Sequence, residues 1–216
     1  MPKEIYALGV GHNTPVLLDL AISCGYAIAG LYHYNDERTG GIDHGFKILG
    51  SFDDLWAKGD LNGMNFVLTM GDVDVRAQLF DKIKSLGGNL PTLIHPTAVI
   101  SSFAKVSDEG VAIFPFTFVQ SDSSVDANTV VLSHVNISHN SSVGKHCYIA
   151  GCAVIGAYTE IDEKVFIGQG ALTISGKSNK IGTHSFVGAG ALVTHPVEPY
   201  TVVAGFPAKF IKNVKE

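Results

Sequence analysis

Written in sixes, residues 113–167 read IFPFTF VQSDSS VDANTV VLSHVN ISHNSS VGKHCY IAGCAV IGAYTE IDEKVF I. Every block opens on Ile or Val: Ile113, Val119, Val125, Val131, Ile137, Val143, Ile149, Ile155, Ile161 and Ile167. Such a run in a single phase has odds on the order of one in a million at this aliphatic content, so the period is structural. The phase extends backward through Val106, Ile100 and Ile94 after one extra residue near Gly110. It resumes at Ile181, Val187 and Val193 after an interruption at Leu172 to Lys180.

Two residues before each aliphatic position the side chain is usually small or β-branched: Thr117, Ser123, Thr129, Val135, Ser141, Cys147, Ala153, Thr159, Val165 and Ala171. One large and one small inward position per six residues describes a triangular coil, a hexapeptide parallel β-helix in which three hexapeptides, about 18 residues, make one turn. Five to six turns are expected. Asp126, Gly144, Gly156, Asp162, Gly168, Gly182 and Gly188 follow the aliphatic position and read as the corner formers. The interruption, with Ser175-Gly176-Lys177-Ser178-Asn179, reads as a protruding polar loop. A narrow prism exposes flat sides, and packing several together covers them, so a threefold oligomer is expected.

Upstream of the repeats the texture changes. Short apolar runs alternate with helix-like segments: Ile5 to Val10, Thr14 to Cys24 before Gly25, Ala27 to Tyr32, Phe66 to Met70, then Val75 to Leu86. These are βαβ units, which bind ligands beyond the C-terminal ends of their parallel strands. Those ends carry Gly9-Val10-Gly11-His12, Asn35-Asp36 and Gly71-Asp72, so Gly11, His12, Asn35, Asp36 and Asp72 are candidate binding residues of one crevice. Position 14 is Thr where G-x-G-x-x-G would have its third glycine, which leaves Gly9 and Gly11 open to a reading as plain turn residues. The organisation is thus an α/β domain over 1–90 and a parallel β-helix over 91–216.

Composition removes several classes. With 15 Lys and Arg against 20 Asp and Glu, net charge −5 and no basic run, a nucleic-acid partner is excluded. Hydrophobic residues at 46% and charged residues at 16% provide for a sizeable core. The cysteines Cys24, Cys147 and Cys152 cannot pair completely, and the N-terminus lacks a signal-peptide pattern, so a reduced, cytoplasmic protein is expected. No uncharged apolar stretch approaches the roughly 20 residues of a membrane span.

Val187-Gly188-Ala189-Gly190-Ala191, followed by Val202-Val203-Ala204-Gly205-Phe206-Pro207-Ala208-Lys209, resembles the hexapeptide-repeat acyltransferases. Gly11-His12, Asn35-Asp36, Leu49-Gly50-Ser51-Phe52-Asp53-Asp54-Leu55, Gly71-Asp72 with Arg76, Leu93-Ile94-His95-Pro96 and Ile137-Ser138-His139 narrow the resemblance to sugar acetyltransferases of the NeuD and PglD type. It covers nearly the whole chain. It implies a left-handed β-helix, a Rossmann-like N-terminal domain for a sugar nucleotide, a homotrimer, and N-acetylation of a nucleotide-linked amino sugar by acetyl-CoA in surface glycan biosynthesis, with no metal. It assigns His139 as general base with Asn140 beside it, and Tyr148, Gln169 and Ala189 to the acyl-CoA. A histidine suits proton removal near neutral pH.

Two positions depart from the family pattern. Relatives place an acidic residue where this chain has Asn140, and a second acyl-CoA-contacting His where it has Tyr148. A neutral amide orients an imidazole without supplying charge. Transfer to a sugar hydroxyl or to sialic acid is the alternative activity. More remote readings are a scaffold that binds sugar nucleotides without catalysis and a zinc enzyme resembling the γ-type carbonic anhydrases. His134 and His139 have the close zinc-ligand spacing, but the third ligand should lie two turns, about 36 residues, upstream, and His95 is out of register with that. Phe114, Phe116 and Phe118 read as core or oligomer packing, and Cys147, at a small inward position, as an inert buried thiol.

Overall fold

The computed structural model describes residues 2–214 and divides into two compact units at Leu93/Ile94. In the first unit, strands β1 (Lys3–Leu8), β2 (Tyr26–His33), β3 (Ile42–Asp43), β4 (Phe46–Ser51) and β5 (Phe66–Leu68) form one sheet in the order β3-β4-β2-β1-β5. All neighbours are parallel except the β3-β4 hairpin. Helix α1 (Thr14–Ser23) has Pro15 in its first turn and stops before Gly25, whose φ of 85° suits a residue without Cβ. Helix α2 (Phe52–Trp56) opens on a capping box, and α3 (Val73–Ser85) is capped by Asp72, with Lys82 and Lys84 in its last turn. Ile5, Leu18, Leu31, Ile48, Phe66 and Ile83 fill the core of this unit.

Strands β3, β4 and helix α2 are absent from the sequence reading. Their signal is the turn His44-Gly45, both at positive φ, which suits a two-residue hairpin.

The second unit is a coil of two-residue strands stacked into three flat walls. Wall 1 begins at Val99–Ile100 and ends at Leu192–Val193 with six strands. Wall 2, from Lys105–Val106 to Lys180–Ile181, has five, so the coil has the expected five to six turns. Wall 3 begins at Leu93–Ile94 and is extended by Thr201–Ala204 and the antiparallel strand Lys209–Asn213. All coil pairings before that last strand are parallel, and the stacked sheets fit a left-handed β-helix. Each aliphatic position from Ile113 to Ile167 is essentially inaccessible, and so are the small positions Thr117, Ser123, Thr129, Ser141, Cys147 and Ala153. Among the described residues no helix is long and apolar enough to cross a membrane.

The corners differ from expectation. The left-handed residue lies three positions after the aliphatic one, at Asp122, Asn128, His134, Asn140, His146, Cys152, Tyr158 and Lys164, with φ between 55° and 62°. The glycines directly after the aliphatic position answer a different demand: a Cβ on Gly168 would lie 2.5 Å from the Ala189 nitrogen in the next coil. The interruption is also shorter than expected. Thr173 fills an inward position, and the extra length shows as a 20-residue step from Glu160 to its partner Lys180. The turn after Thr173 folds back rather than protruding. Lys177 and Ser178 donate their N–H groups to the Ile174 carbonyl at 3.1 Å, and the Ser175 hydroxyl accepts from the Ala157 N–H at 2.9 Å. Phe114 is buried, whereas Phe116 and Phe118 are on the surface.

Candidate active site

In the first unit the end of β1 is shaped by two threonines. Gly9 has φ 108° and no room for a Cβ beside the Thr69 hydroxyl. Thr69 Oγ1 donates to the carbonyls of Leu8 and Gly9 at 3.0 Å, and buried Thr14 Oγ1 accepts the Gly11 N–H at 2.8 Å. The residue that replaces the third glycine therefore pins the loop. Gly11 itself has open space where a Cβ would stand. It lines a cleft of about 440 Å³ together with Val10, His12, Tyr34, Phe52 and Met70.

Gly11 and His12 meet in this cleft, whereas Asn35, Asp36 and Asp72 lie outside its lining. Asn35 Oδ1 is taken by His33 Nδ1 at 2.8 Å and by the Glu37 N–H. Asp36 is exposed in the short 3-10 turn Asp36–Arg38. Asp72 Oδ1 accepts the N–H groups of Asp74 and Val75 as the cap of α3. The sequence reading missed Tyr34 and Phe52: Tyr34 follows β2 beside the singled-out Asn35, whereas Phe52 follows β4, a strand that the sequence pattern did not mark.

In the second unit His139 sits on the edge between walls 1 and 2, exposed, one residue before the left-handed corner. Its backbone N–H donates to Gln120 Oε1 at 3.2 Å, and Gln120 Nε2 donates to Asn136 Oδ1 at 2.9 Å. Its Nδ1–H donates to Asn140 Oδ1 at 2.9 Å, which leaves the lone pair on Nε2. Asn140, at φ 55°, is among the residue types that tolerate that conformation best. The ring of Tyr158, one coil on, stands perpendicular to the imidazole at 5.4 Å.

The remaining predicted residues are elsewhere on the prism. Tyr148 is buried on wall 3 in a ladder with Phe166 at 5.4 Å and 7°, which continues to Phe186 at 4.5 Å and 3°. Gln169 and Ala189 are exposed on the edge between walls 3 and 1, where the Gln169 carbonyl accepts the Gly190 N–H at 2.8 Å. Within one chain they do not share the edge that carries His139. Burial pushes the Cys147 thiol up to about 12, which keeps it protonated and inert at neutral pH. Among the described residues no group of three or more His, Cys, Asp or Glu is placed to hold a metal.

No family model matches the chain. It is 25% identical over 132 residues to an acyl-[acyl-carrier-protein]–UDP-N-acetylglucosamine O-acyltransferase of Pseudomonas paraeruginosa, covering 59% of this chain and 50% of that protein. The chain thus spans about half the length of the curated relatives it matches. Among solved structures, the acetyltransferase domain of PglB from Neisseria gonorrhoeae superposes with TM-score 0.85 and 25% identity, over 97% of this chain and 100% of that one. The likeness is to hexapeptide-repeat sugar acetyltransferases. PerB from Caulobacter crescentus, solved with CoA and GDP-perosamine, shares the fold at TM-score 0.83 and 23% identity over 96% of this chain and 97% of its own. WeeI from Acinetobacter baumannii does so at 0.83 and 21%, over 96% and 99%.

Proposed function

We propose that the protein is an acetyl-CoA-dependent N-acetyltransferase of a nucleotide-linked amino sugar, with His139 as general base. The observation that carries this reading is the His139–Asn140 hydrogen bond, which directs the Nε2 lone pair outward from an exposed edge. The sugar amine attacks the thioester carbonyl carbon, Nε2 takes the proton lost from that nitrogen, and the C–S bond breaks as the tetrahedral adduct collapses. The imidazolium then returns the proton to the departing thiolate, which leaves amide and free CoA. The PerB structure with CoA and a GDP-linked amino sugar supports the substrate class.

The first unit is read as a Rossmann-like sugar-nucleotide domain: apolar Tyr34, Phe52 and Met70 accept the planar base, and the loop at Gly11 and His12 faces the phosphates. The outward polarity of the walls supports a homotrimer. Wall 1 places Val99, Phe118, Asn136, Val154, Leu172 and Leu192 at its outward positions, all but Asn136 apolar, and wall 3 places Phe166 and Phe186 there beyond the buried Val130 and Tyr148. Wall 2 presents Lys105, Ser124, Ser142, Glu160 and Lys180. Two apolar walls and one polar wall are what a prism needs if each copy packs wall 1 on the next copy's wall 3 and leaves wall 2 in water. In that arrangement Tyr148, Gln169 and Ala189 reach the acyl-CoA from an adjacent copy.

A panel of UDP-, GDP- and dTDP-linked 3-amino and 4-amino sugars and sialic acid, assayed with acetyl-CoA for thiol release, tests the activity. Turnover of an amino sugar is expected. Thiol release with sialic acid alone replaces the reading by O-acetylation, and none with any acceptor refutes it.

A further inference from the structure

Tyr158 occupies the left-handed corner position one coil beyond Asn140, at φ 62°. Closure of the coil imposes this conformation at its corners, which on this edge otherwise carry Asp122, Asn140 and Gly176. Tyr158 is also 58% exposed, so core packing does not account for it. What it does contact is His139. The two rings stand at 88° with centroids 5.4 Å apart, and the Tyr158 N–H donates to the His139 carbonyl at 3.3 Å.

Accepting a proton turns His139 into a cation, and among the described residues the one hydrogen-bond partner of its ring is the neutral Asn140 amide. The charged groups around this edge are Asp122 on the preceding coil, Glu160 and Lys180 bonded to each other at 2.7 Å on wall 2, and Lys177 on the following turn. None of them is bonded to the imidazole. The tyrosine ring lies within the roughly 6 Å over which an aromatic face attracts a cation, and perpendicular packing is a favoured ring-pair geometry.

We propose that Tyr158 is a positioning residue for His139: the perpendicular contact of the two rings holds the imidazole plane with Nε2 outward and stabilises the protonated form. This rests on His139 acting as the base. Loss of the ring makes the imidazolium release its proton more readily, so the deprotonated base persists to lower pH and is a weaker acceptor.

The test compares kcat–pH profiles of the wild type, Tyr158→Leu, Tyr158→Phe and Asp122→Asn, alongside NMR titration of the His139 ring proton without substrates. In Tyr158→Leu the acidic limb is expected to move a few tenths of a pH unit downward and kcat to fall about two- to fivefold, with both KM values little changed. Tyr158→Phe, which keeps the ring, is expected to restore limb and rate. An unmoved NMR midpoint in Tyr158→Leu overturns the proposal. So does Tyr158→Phe behaving like Tyr158→Leu, which would assign the effect to the hydroxyl, or Asp122→Asn alone moving the limb. An NMR midpoint that moves while the kcat limb stays fixed leaves the ring coupling standing and removes His139 as the base.

Discussion

The two units make sites in opposite ways. The α/β unit has a cleft of about 440 Å³ beyond the ends of its parallel strands, where backbone at Gly11 and side chains of Tyr34 and Phe52 surround one volume. The coil has no such interior, because Val, Ile and small residues fill it at every level from Ile113 to Val193. Its chemistry is confined to edges and walls. The difference teaches that the α/β unit gathers apolar and backbone groups around one volume, whereas the prism offers outward grooves, such as that of about 390 Å³ lined by Asp126, Lys145, Glu160 and Asp162. Binding and chemistry should therefore separate by unit when the residues are changed.

The sharpest break in that comparison is His139→Ala. Removal of a positioned general base is expected to lower kcat by roughly 10²- to 10⁴-fold with little change in either KM. The fold should persist, since His139 is exposed. Wild-type turnover across the acidic limb would mean that a neutral amine attacks unaided. Asn140→Asp adds the charge that the amide lacks and should move the acidic limb to higher pH, because a carboxylate favours the imidazolium.

Next in size is Ile149→Ala. Ile149 is fully buried inside the coil, between Val131 and Ile167 of the neighbouring turns, and its truncation should cost about 2–5 kcal/mol. Since Trp56 is the single tryptophan and belongs to the first unit, its fluorescence reports that unit alone, while far-ultraviolet dichroism reports both. Ile149→Ala should lower the dichroism transition. An equal fall in the Trp56 transition would show that the units unfold together.

How much of this was legible depended on whether physics repeats. The inward ladder reads directly because each coil imposes the same volume, so Ile and Val recur at every sixth position. Thr173 hides the continuation of that ladder because a hydroxyl satisfied by the Gly156 N–H serves where an aliphatic group usually does. The corners misled because glycine there reflects clearance to the next coil, while true left-handed positions carry Tyr158, Lys164 and Cys152, held by closure of the ring rather than by propensity. His139 was legible through its resemblance. Its partners Gln120 and Tyr158 come from neighbouring coils, and no local pattern marks them. In the first unit, Asp72 was singled out by position and the structure uses it as a helix cap outside the cleft lining, while the lining residue Tyr34 carries no period at all.

The cleft side of the comparison is sharpened by Tyr34→Ala. A stacked aromatic contributes about 1–3 kcal/mol per nucleobase, so KM for the sugar nucleotide should rise roughly tenfold or more while KM for acetyl-CoA holds. Asp36→Ala, outside the lining, should raise it less. Equal effects of Tyr34→Ala on both substrates would argue against separate sites.

The smallest effect belongs to the start of α2, beside the cleft residue Phe52. Ser51 Oγ accepts the Asp54 N–H at 3.1 Å, and Asp54 Oδ2 accepts the Ser51 N–H and hydroxyl at 2.8 and 3.0 Å. Those bonds from Ser51, backbone first, hold the Asp54 carboxyl below the usual carboxylate range. A folded value below the unfolded one means that this contribution is fully present above the unfolded value of about 3.9 and disappears as pH falls through the folded value. Ser51→Ala should destabilise the first unit by about 1 kcal/mol at neutral pH, read from the Trp56 transition in urea. Asp54→Asn should lose stability relative to wild type at pH 7, and the gap should close as the pH drops below the carboxylate range. A gap that persists unchanged at pH 2 would locate the role of Asp54 in shape rather than charge, and the capping argument for the entry to α2 would then rest on Ser51 alone.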